Sequence, residues 1–234
     1  MLEAARTNER PEDDERGANG NVEQIELDII TGFLGAGKTT LINKMLAEGF
    51  GGSGTALLEN EFGDVAIDTD LVADNSIAVR TMATGCICCT LRGDFVTNLV
   101  EIVEQYHPSR IIVEPTGLAN LADILDLCEQ AAKAVPLRLN AVITVASAEN
   151  MMPMIYVGGD FFVDQLNQAR FFLVSCAQLV DEEDLEEALE CLEEHAAEGV
   201  PILCVDWADI SALEIICETE ESKAGYNPEL PHGR

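Results

Sequence analysis

Short runs of β-branched and other apolar residues alternate along the chain with longer segments whose apolar positions recur at helical spacing. Such runs indicate buried strands, and their alternation with helical segments is typical of βαβ units. Strands are predicted at Ile25–Ile30, Thr55–Glu59, Ile77–Thr81, Arg110–Glu114, Leu139–Val145, Phe171–Ser175 and Pro201–Val205. Helices are predicted to begin near Lys38, Leu91, Leu118, Phe161 and Glu182. The pattern predicts an α/β fold, with a mainly parallel sheet and helices on both faces.

The two ends of the chain differ from this pattern. Residues 1–22 are rich in Glu, Arg and Asn with interspersed Gly and Pro, which predicts a disordered leader. From about Glu218 the chain again becomes polar and carries Gly225, Pro228 and Pro231, so residues 218–234 are predicted to form a flexible tail. The 23–217 segment is expected to be one domain.

Net charge and cysteine content narrow the function classes. The formal charge is -30, from 13 basic and 43 acidic residues, so the clustered Lys and Arg that phosphate backbones require are scarce. We therefore expect neither nucleic acid nor a membrane as a partner. A polar N-terminus without a secretory signal predicts a cytoplasmic protein, whose eight cysteines are reduced or bound to metal.

The clearest chemical motif is the phosphate-binding loop pattern G-x-x-x-x-G-K-[ST], which Gly32–Thr39 match. Glycines allow backbone N–H groups to approach phosphates, and the helix that follows directs its N-terminus at the anion. Lys38 is expected to neutralise the β- and γ-phosphates, and the Thr39 hydroxyl to ligate Mg²⁺. Nucleotide contacts are predicted at Gly32, Gly35, Ala36, Gly37, Lys38, Thr39 and Thr40. The pattern predicts a P-loop NTPase.

Acidic residues follow two of the predicted strands, where ligands bind in open α/β sheets. Glu114 ends one strand and is expected to orient the attacking water or support Mg²⁺, with Gly117 giving its N–H to the γ-phosphate. Glu59–Asp64 and the nearby Asp68 follow another strand and resemble an acidic loop that senses the nucleotide. The candidate catalytic residues are Lys38, Glu114 and Asp68.

Three thiols lie within four residues, at Cys86, Cys88 and Cys89. Soft thiolates prefer Zn²⁺ or Cu⁺, and a fourth ligand would come from Glu59, Glu61 or water. Fewer than four fixed protein ligands favour an exchangeable metal over a structural one. Buried or redox-active thiols are the alternative interpretation of this cluster.

Taken together, Gly32–Thr40, Glu59–Gly63, Gly85–Cys89 and Glu114–Ala119 closely resemble the CobW-like GTPases of the G3E group of P-loop proteins. The resemblance implies GTP hydrolysis linked to delivery of zinc, cobalt or a related metal to a client metalloprotein. It also implies that the cysteine motif is the metal site. Its phosphate and Mg²⁺ residues correspond to Lys38, Thr39 and Glu114.

Departures from the family pattern lie mainly near the expected base site. The guanine-selecting Asn-Lys-x-Asp motif is replaced by Ser175–Gln178, and an Asp expected after the preceding strand is Ser147. Gln178 can accept one hydrogen bond from a base, but a neutral amide is a weaker partner than a carboxylate, so both GTP and ATP remain open. We do not expect these 234 residues to include the family's usual smaller C-terminal domain.

Three functions remain open at this point. The leading one is an NTPase whose nucleotide state is coupled to a metal bound by the cysteine cluster. The alternative is a non-hydrolytic accessory subunit that senses nucleotide or metal and has lost guanine specificity. A small-molecule kinase is weaker, because no Arg-rich segment that would form a lid is found.

Overall fold

Seven strands form a single parallel sheet in the computed structural model, which describes residues 24–50, 54–60, 78–82 and 92–223. The strands are β1 (Ile25–Gly32), β2 (Thr55–Asn60), β3 (Ala78–Met82), β4 (Arg110–Glu114), β5 (Leu137–Ser147), β6 (Phe172–Ser175) and β7 (Ile202–Cys204). Their order is β3-β2-β4-β1-β5-β6-β7, and every neighbouring pair is parallel. The predicted fold class is therefore confirmed, and all these strands end at the same edge of the sheet.

Six α-helices connect or follow the strands within the described ranges. They are α1 (Lys38–Ala47), α2 (Arg92–Tyr106), α3 (Leu121–Ala132), α4 (Met151–Asn167), α5 (Glu182–His195) and α6 (Ala212–Lys223). A short 3-10 turn, Ala177–Leu179, follows β6. None of these helices has both the length and the apolar character needed to cross a bilayer.

Both faces of the sheet are covered, because alternate residues of each buried strand point to opposite sides. On one face, apolar side chains of α2 and α3 pack on β1, β2 and β4. Apolar side chains of α4 and α5 pack beside them on the ends of β5 and β6. On the other face, α1 and α6 cover Ile30, Leu57, Ile112 and Ile143. The core thus fixes the strand ends from which the site is built.

Helix α4 corrects one predicted boundary. We expected a helix to begin near Phe161, but it begins at Met151 and includes a non-helical residue, Gly159, with φ 50°. Pro153 and the pair Gly158–Gly159 made this segment look like a loop, whereas burial of Met151 at one end and Leu166 at the other holds it against the sheet.

Two other helix boundaries also differ from the prediction. The helix expected near Leu118 begins at Leu121, because the Asn120 side chain caps it by accepting a hydrogen bond from Asp123 N. Helix α6 was not predicted, and it extends to Lys223, so the expected start of the tail at 218 lies inside it. Buried Ile215, Ile216 and Thr219 stabilise this helix against the sheet.

Candidate nucleotide-binding site

The phosphate loop begins at Gly32, the last residue of β1, which pairs in register with Val145 of β5. Gly32 has φ 134°, and a Cβ there would lie 2.2 Å from the Val145 carbonyl oxygen, so only glycine fits. Gly37 has φ 99° and is the N-cap of α1, which places the helix N-terminus behind the loop. The loop therefore presents backbone N–H groups and a helix N-terminus to the same point, as phosphate binding requires.

Lys38 is the cation of this loop, and it is 7% exposed. Its Nζ donates a hydrogen bond to the Phe33 carbonyl oxygen at 3.0 Å, so the ammonium curls back over the loop. Burial lowers the pKa of Lys38, and the Glu114 carboxylate opposes that shift. A buried ammonium held by a backbone carbonyl is well suited to an anionic ligand, which would supply the missing negative charge.

Thr39 and Glu114 meet at the carboxyl edge although they are far apart in sequence. The Thr39 hydroxyl donates a hydrogen bond to Glu114 Oε1 at 3.0 Å. Helix α1 carries the hydroxyl, and β4, the strand beside β1, ends with the carboxylate. The two predicted oxygen ligands of a Mg²⁺ ion are thus brought together next to Lys38, and oxygen donors are the ligands that Mg²⁺ prefers.

The turn after β4 packs directly on the phosphate loop. A Cβ on Gly117 would lie 2.6 Å from Leu34 N, so the two backbones are in contact and a side chain is excluded. Ala119 N donates to Thr116 O at 2.9 Å, which closes the turn. The Gln165 side chain of α4 donates to the carbonyl oxygens of Gly117 at 3.0 Å and Ala119 at 3.2 Å. Sequence reasoning identified Gly117 and missed Gln165.

The segment expected to read the base lies at the end of β6. Ser175 Oγ donates to the Ala36 carbonyl oxygen at 2.6 Å and so ties β6 to the phosphate loop, a role that sequence reasoning missed. Cys176 follows in the left-handed region with φ 58°, and Gln178 is exposed on the 3-10 turn. Trp207, after β7, donates from Nε1 to Val174 O at 3.0 Å, and its ring lies beside Gly37.

A pocket of about 360 Å³, including its open mouth, lies between the phosphate loop, the end of β5 and α4. Phe33 and Phe162 form one wall with their rings edge to face, 5.3 Å between centroids. Ser147 lines the same pocket and accepts a hydrogen bond from Asn150 Nδ2 at 3.4 Å. The residue that replaces the expected Asp is therefore a hydroxyl beside the loop.

Five of the predicted site residues lie outside the described residues. These are Glu61, Asp68, Cys86, Cys88 and Cys89. In the ranges that are described, no group of three or more His, Cys, Asp or Glu side chains is arranged to hold a metal. Glu59, a candidate fourth ligand, is described: it pairs in register with Glu114 on β4 and with Thr81 on β3. It therefore lies at the edge of the sheet that carries the phosphate loop.

Comparison with protein families and curated proteins shows the family to which the chain belongs. The nucleotide-binding domain of the CobW/HypB/UreG family matches residues 26–203. Zinc chaperone YeiR of Escherichia coli K12 is 35% identical over 141 residues, which are 60% of this chain and 43% of that protein. Zinc chaperone CobW of Sinorhizobium sp is 29% identical over 220 residues, 91% of this chain and 60% of that protein. The matches thus span less than two thirds of these relatives' length.

Solved structures support the fold. Zn(II)-bound YjiA GTPase from E. coli has a TM-score of 0.55 at 23% identity, covering 82% of this chain and 60% of that one. HypB from Helicobacter pylori in complex with nickel has a TM-score of 0.55 at 17% identity, covering 90% of this chain and 93% of that one. At these identities, the likeness concerns the arrangement of strands and helices.

Proposed function

Since the chain belongs to the CobW/HypB/UreG family of nucleotide-binding proteins, we propose that it hydrolyses a nucleoside triphosphate and couples that reaction to metal handling. GTP is the expected nucleotide, and the metal is a transition metal of the zinc or cobalt class that is delivered to a client metalloprotein. The single observation that supports hydrolysis best is the Thr39–Glu114 hydrogen bond of 3.0 Å beside the buried Lys38 ammonium.

The chemistry follows from the position of each group. Backbone N–H groups of the loop and the N-terminus of α1 bind the phosphates, and Lys38 compensates charge on the β- and γ-phosphates. Thr39 and Glu114 provide oxygen donors that fit Mg²⁺, which supplies charge neutralisation to the transferring phosphoryl group. Glu114 orients the attacking water, and the Gly117 N–H donates to the γ-phosphate.

The proposed coupling to metal depends on where β2 and β3 end. Glu59 neighbours Glu114 in register, and β3 ends at Met82, four residues before Cys86. Strand ends of a parallel sheet lie at one edge, so the segment with Cys86, Cys88 and Cys89 is attached to the edge that binds phosphate. Relatives named zinc chaperones make zinc the first metal to test. A reducing cytoplasm suits such thiolate ligands.

The test measures zinc and hydrolysis together. Changing Cys86, Cys88 and Cys89 to Ser is expected to remove bound Zn²⁺ and the zinc dependence of GTP turnover, with triphosphate affinity retained. Cys217→Ser is the control, because Cys217 is an exposed thiol on α6 that does not belong to the predicted cluster. Unchanged zinc content and unchanged zinc-dependent turnover in the triple variant would contradict metal coupling.

A non-hydrolytic accessory subunit is the second candidate, and one observation favours it. Gln178 is exposed and neutral at the position where the family's pattern has a carboxylate, so the base is held less firmly than in a charged site. This candidate predicts similar affinity for GTP and ATP, and intact triphosphate after long incubation with Mg²⁺ and Zn²⁺. Steady phosphate release by the unchanged chain would exclude it.

A further inference from the structure

Gln165 is a buried amide that spans two elements of the site without belonging to the phosphate loop or its predicted ligands. It lies on α4 and is 8% exposed. Its Nε2 donates to the carbonyl oxygens of Gly117 at 3.0 Å and Ala119 at 3.2 Å. Two carbonyl acceptors fix the orientation of the amide, because a flipped side chain would place its own oxygen against both.

The Gln165 bonds and one backbone bond within the turn together restrain the peptide planes of the turn. The bond to Gly117 O fixes the plane that joins Gly117 to Leu118. The bond from Ala119 N to Thr116 O at 2.9 Å fixes the plane that joins Thr116 to Gly117, and this plane carries the Gly117 N–H. The Gly117 backbone also contacts Leu34 N, so small rotations of the turn change the distance to the phosphate loop.

The same helix holds the phosphate loop itself. Phe162, one turn before Gln165 on α4, packs edge to face on Phe33 of the loop. Helix α4 therefore contacts the phosphate loop through the Phe33 ring and the Gly117 turn through its carbonyl oxygens, with side chains three residues apart on one face.

Burial of this amide is costly, which argues against a role in packing alone. Among the described residues, Gln165 Oε1 and Thr144 Oγ1 are the buried side-chain atoms without a hydrogen-bond partner. Both residues line the pocket beside the loop. A methionine would fill the same space without an unsatisfied acceptor, so what the glutamine adds is its Nε2 donor.

We propose that Gln165 is a positioning residue, which directs the Gly117 N–H at the γ-phosphate by holding the Gly117 and Ala119 carbonyls from α4. The inference rests on the proposed triphosphate site. It assigns to Gln165 a contribution to γ-phosphate binding and hydrolysis, and none to binding of a diphosphate.

Gln165→Met in the full chain is the decisive variant. We expect diphosphate affinity within about twofold of the unchanged chain, with a loss of about tenfold in kcat and in affinity for a non-hydrolysable triphosphate, as removal of a buried donor implies. Gln168→Met is the matched control, because Gln168 follows the end of α4 and its Oε1 accepts a hydrogen bond from Ala122 N of α3 at 3.0 Å. It should leave the triphosphate to diphosphate affinity ratio unchanged.

Gln165→Glu provides a second, pH-dependent readout. An ionised carboxylate would face two carbonyl oxygens, whereas a protonated one can donate to one of them. The kcat of this variant, relative to the unchanged chain, is therefore expected to rise about tenfold between about pH 8 and pH 6. Turnover by Gln165→Met equal to that of the unchanged chain would overturn the inference alone. Absence of triphosphate binding by the unchanged chain would overturn the proposed function as well.

Discussion

Charged side chains have different kinds of partner at the amino and carboxyl ends of the strands β1, β4 and β5. At their amino ends, Glu26, Asp28, Arg110, Arg138 and Asn140 form a network of ion pairs and hydrogen bonds. At their carboxyl ends, the buried cation Lys38 donates to a neutral backbone carbonyl, and Gly32 leaves no room for a side chain against β5. The difference separates a structural use of charge from a ligand-binding one.

In the amino-end network, the charged side chains find their partners within the chain. Asp28 is 0% exposed; it pairs with Arg110 and accepts a hydrogen bond from Asn140 Nδ2 at 2.8 Å. Arg110 also pairs with Glu26, and its guanidinium lies 4.3 Å from the centroid of the Phe50 ring. Two carboxylates and an aromatic face thus surround one guanidinium, and a further anion has no role there.

At the carboxyl-end site, the chain supplies fewer opposite charges to its buried cation, Lys38. The Lys38 ammonium meets the Phe33 carbonyl, and Ser175 meets the Ala36 carbonyl, so the loop is held by neutral groups. Gly32, Gly35 and Gly37 hold the loop in positive-φ conformations that other residues rarely adopt. The comparison teaches that buried charge marks a structural site here where several opposite charges of the chain pair with it, and a ligand site where the ammonium donates to a neutral carbonyl beside one carboxylate, Glu114.

The largest expected effect is a loss of stability when the amino-end network is disrupted. Asp28→Ala leaves Arg110 buried with one carboxylate fewer, so we expect the free energy of unfolding to fall by about 3–5 kcal/mol. Triphosphate affinity of the folded variant should stay within about twofold, since the site lies at the other end of the strands. Urea unfolding and calorimetric titration measure the two quantities.

Asp28→Asn is the matched control for this change. It keeps the size and an oxygen acceptor for Asn140 and Arg110, so the loss of stability should be smaller than in Asp28→Ala. A large drop in nucleotide affinity with unaltered stability in Asp28→Ala would contradict the division between the two ends.

The second-largest expected effect is a loss of nucleotide affinity without a loss of stability. Lys38→Met removes a buried ammonium, so we expect stability to be retained or raised, because its desolvation no longer opposes folding. Triphosphate affinity should fall about a hundredfold with the loss of charge-assisted contacts to phosphate. Calorimetric titration with GTP and with ATP measures the loss.

Lys44→Met is the control for Lys38→Met, because Lys44 lies on the same helix and forms an i,i+4 pair with Glu48 outside the phosphate loop. It should cost about 0.5 kcal/mol of stability or less and leave affinity unchanged. Equal losses of affinity in the two variants would show that Lys38 acts through general surface charge, which would contradict its assigned place in the loop.

The parts of this site that sequence reasoning found are local in the chain. The spacing of Gly32, Lys38 and Thr39 is a short-range pattern, and the apolar run before Glu114 marks a strand end without knowledge of the partners. The structure joins Thr39 to Glu114 by a hydrogen bond, a contact that the sequence analysis did not name. A motif that contains its own turn and helix start can be recognised before the fold is known.

The parts that were missed depend on contacts between distant segments. Gln165 meets Gly117 48 positions away, and Ser175 meets Ala36 139 positions away. No local pattern distinguishes a glutamine or serine that makes such a contact from one at the surface. Asp68, Glu61 and the cysteine cluster stay predictions, because they lie outside the described residues.

A smaller expected effect is the pH dependence of nucleotide affinity that arises from the titration of Lys38. Burial lowers the Lys38 pKa from its ordinary 10.5 in the free chain, whereas bound phosphates favour the charged form and raise it. Binding therefore takes up a proton between the two pKa values, and affinity falls up to about tenfold per pH unit as pH rises through that window. In the absence of nucleotide, the contribution of Lys38 to stability rises with pH between its lowered pKa and 10.5.

Alkaline titrations of triphosphate affinity check this linkage. The decline should begin below pH 10.5 in the unchanged chain and be absent in Lys38→Met, which has no titrating group at that position. An affinity that stays constant up to that pH in the unchanged chain would mean that Lys38 remains charged without nucleotide.

The smallest effect tests the neutral bonds that hold the loop. Ser175→Ala removes the donor to Ala36 O, a bond of 2.6 Å, so we expect a loss of about 1 kcal/mol, seen as a fall of about fivefold in triphosphate affinity. The fall should be equal for GTP and ATP, because this bond reaches the phosphate loop and not the base. Thr144→Val is the control, since the Thr144 hydroxyl has no partner within the described part of the chain. A preferential loss of GTP binding in Ser175→Ala would place Ser175 in base recognition instead.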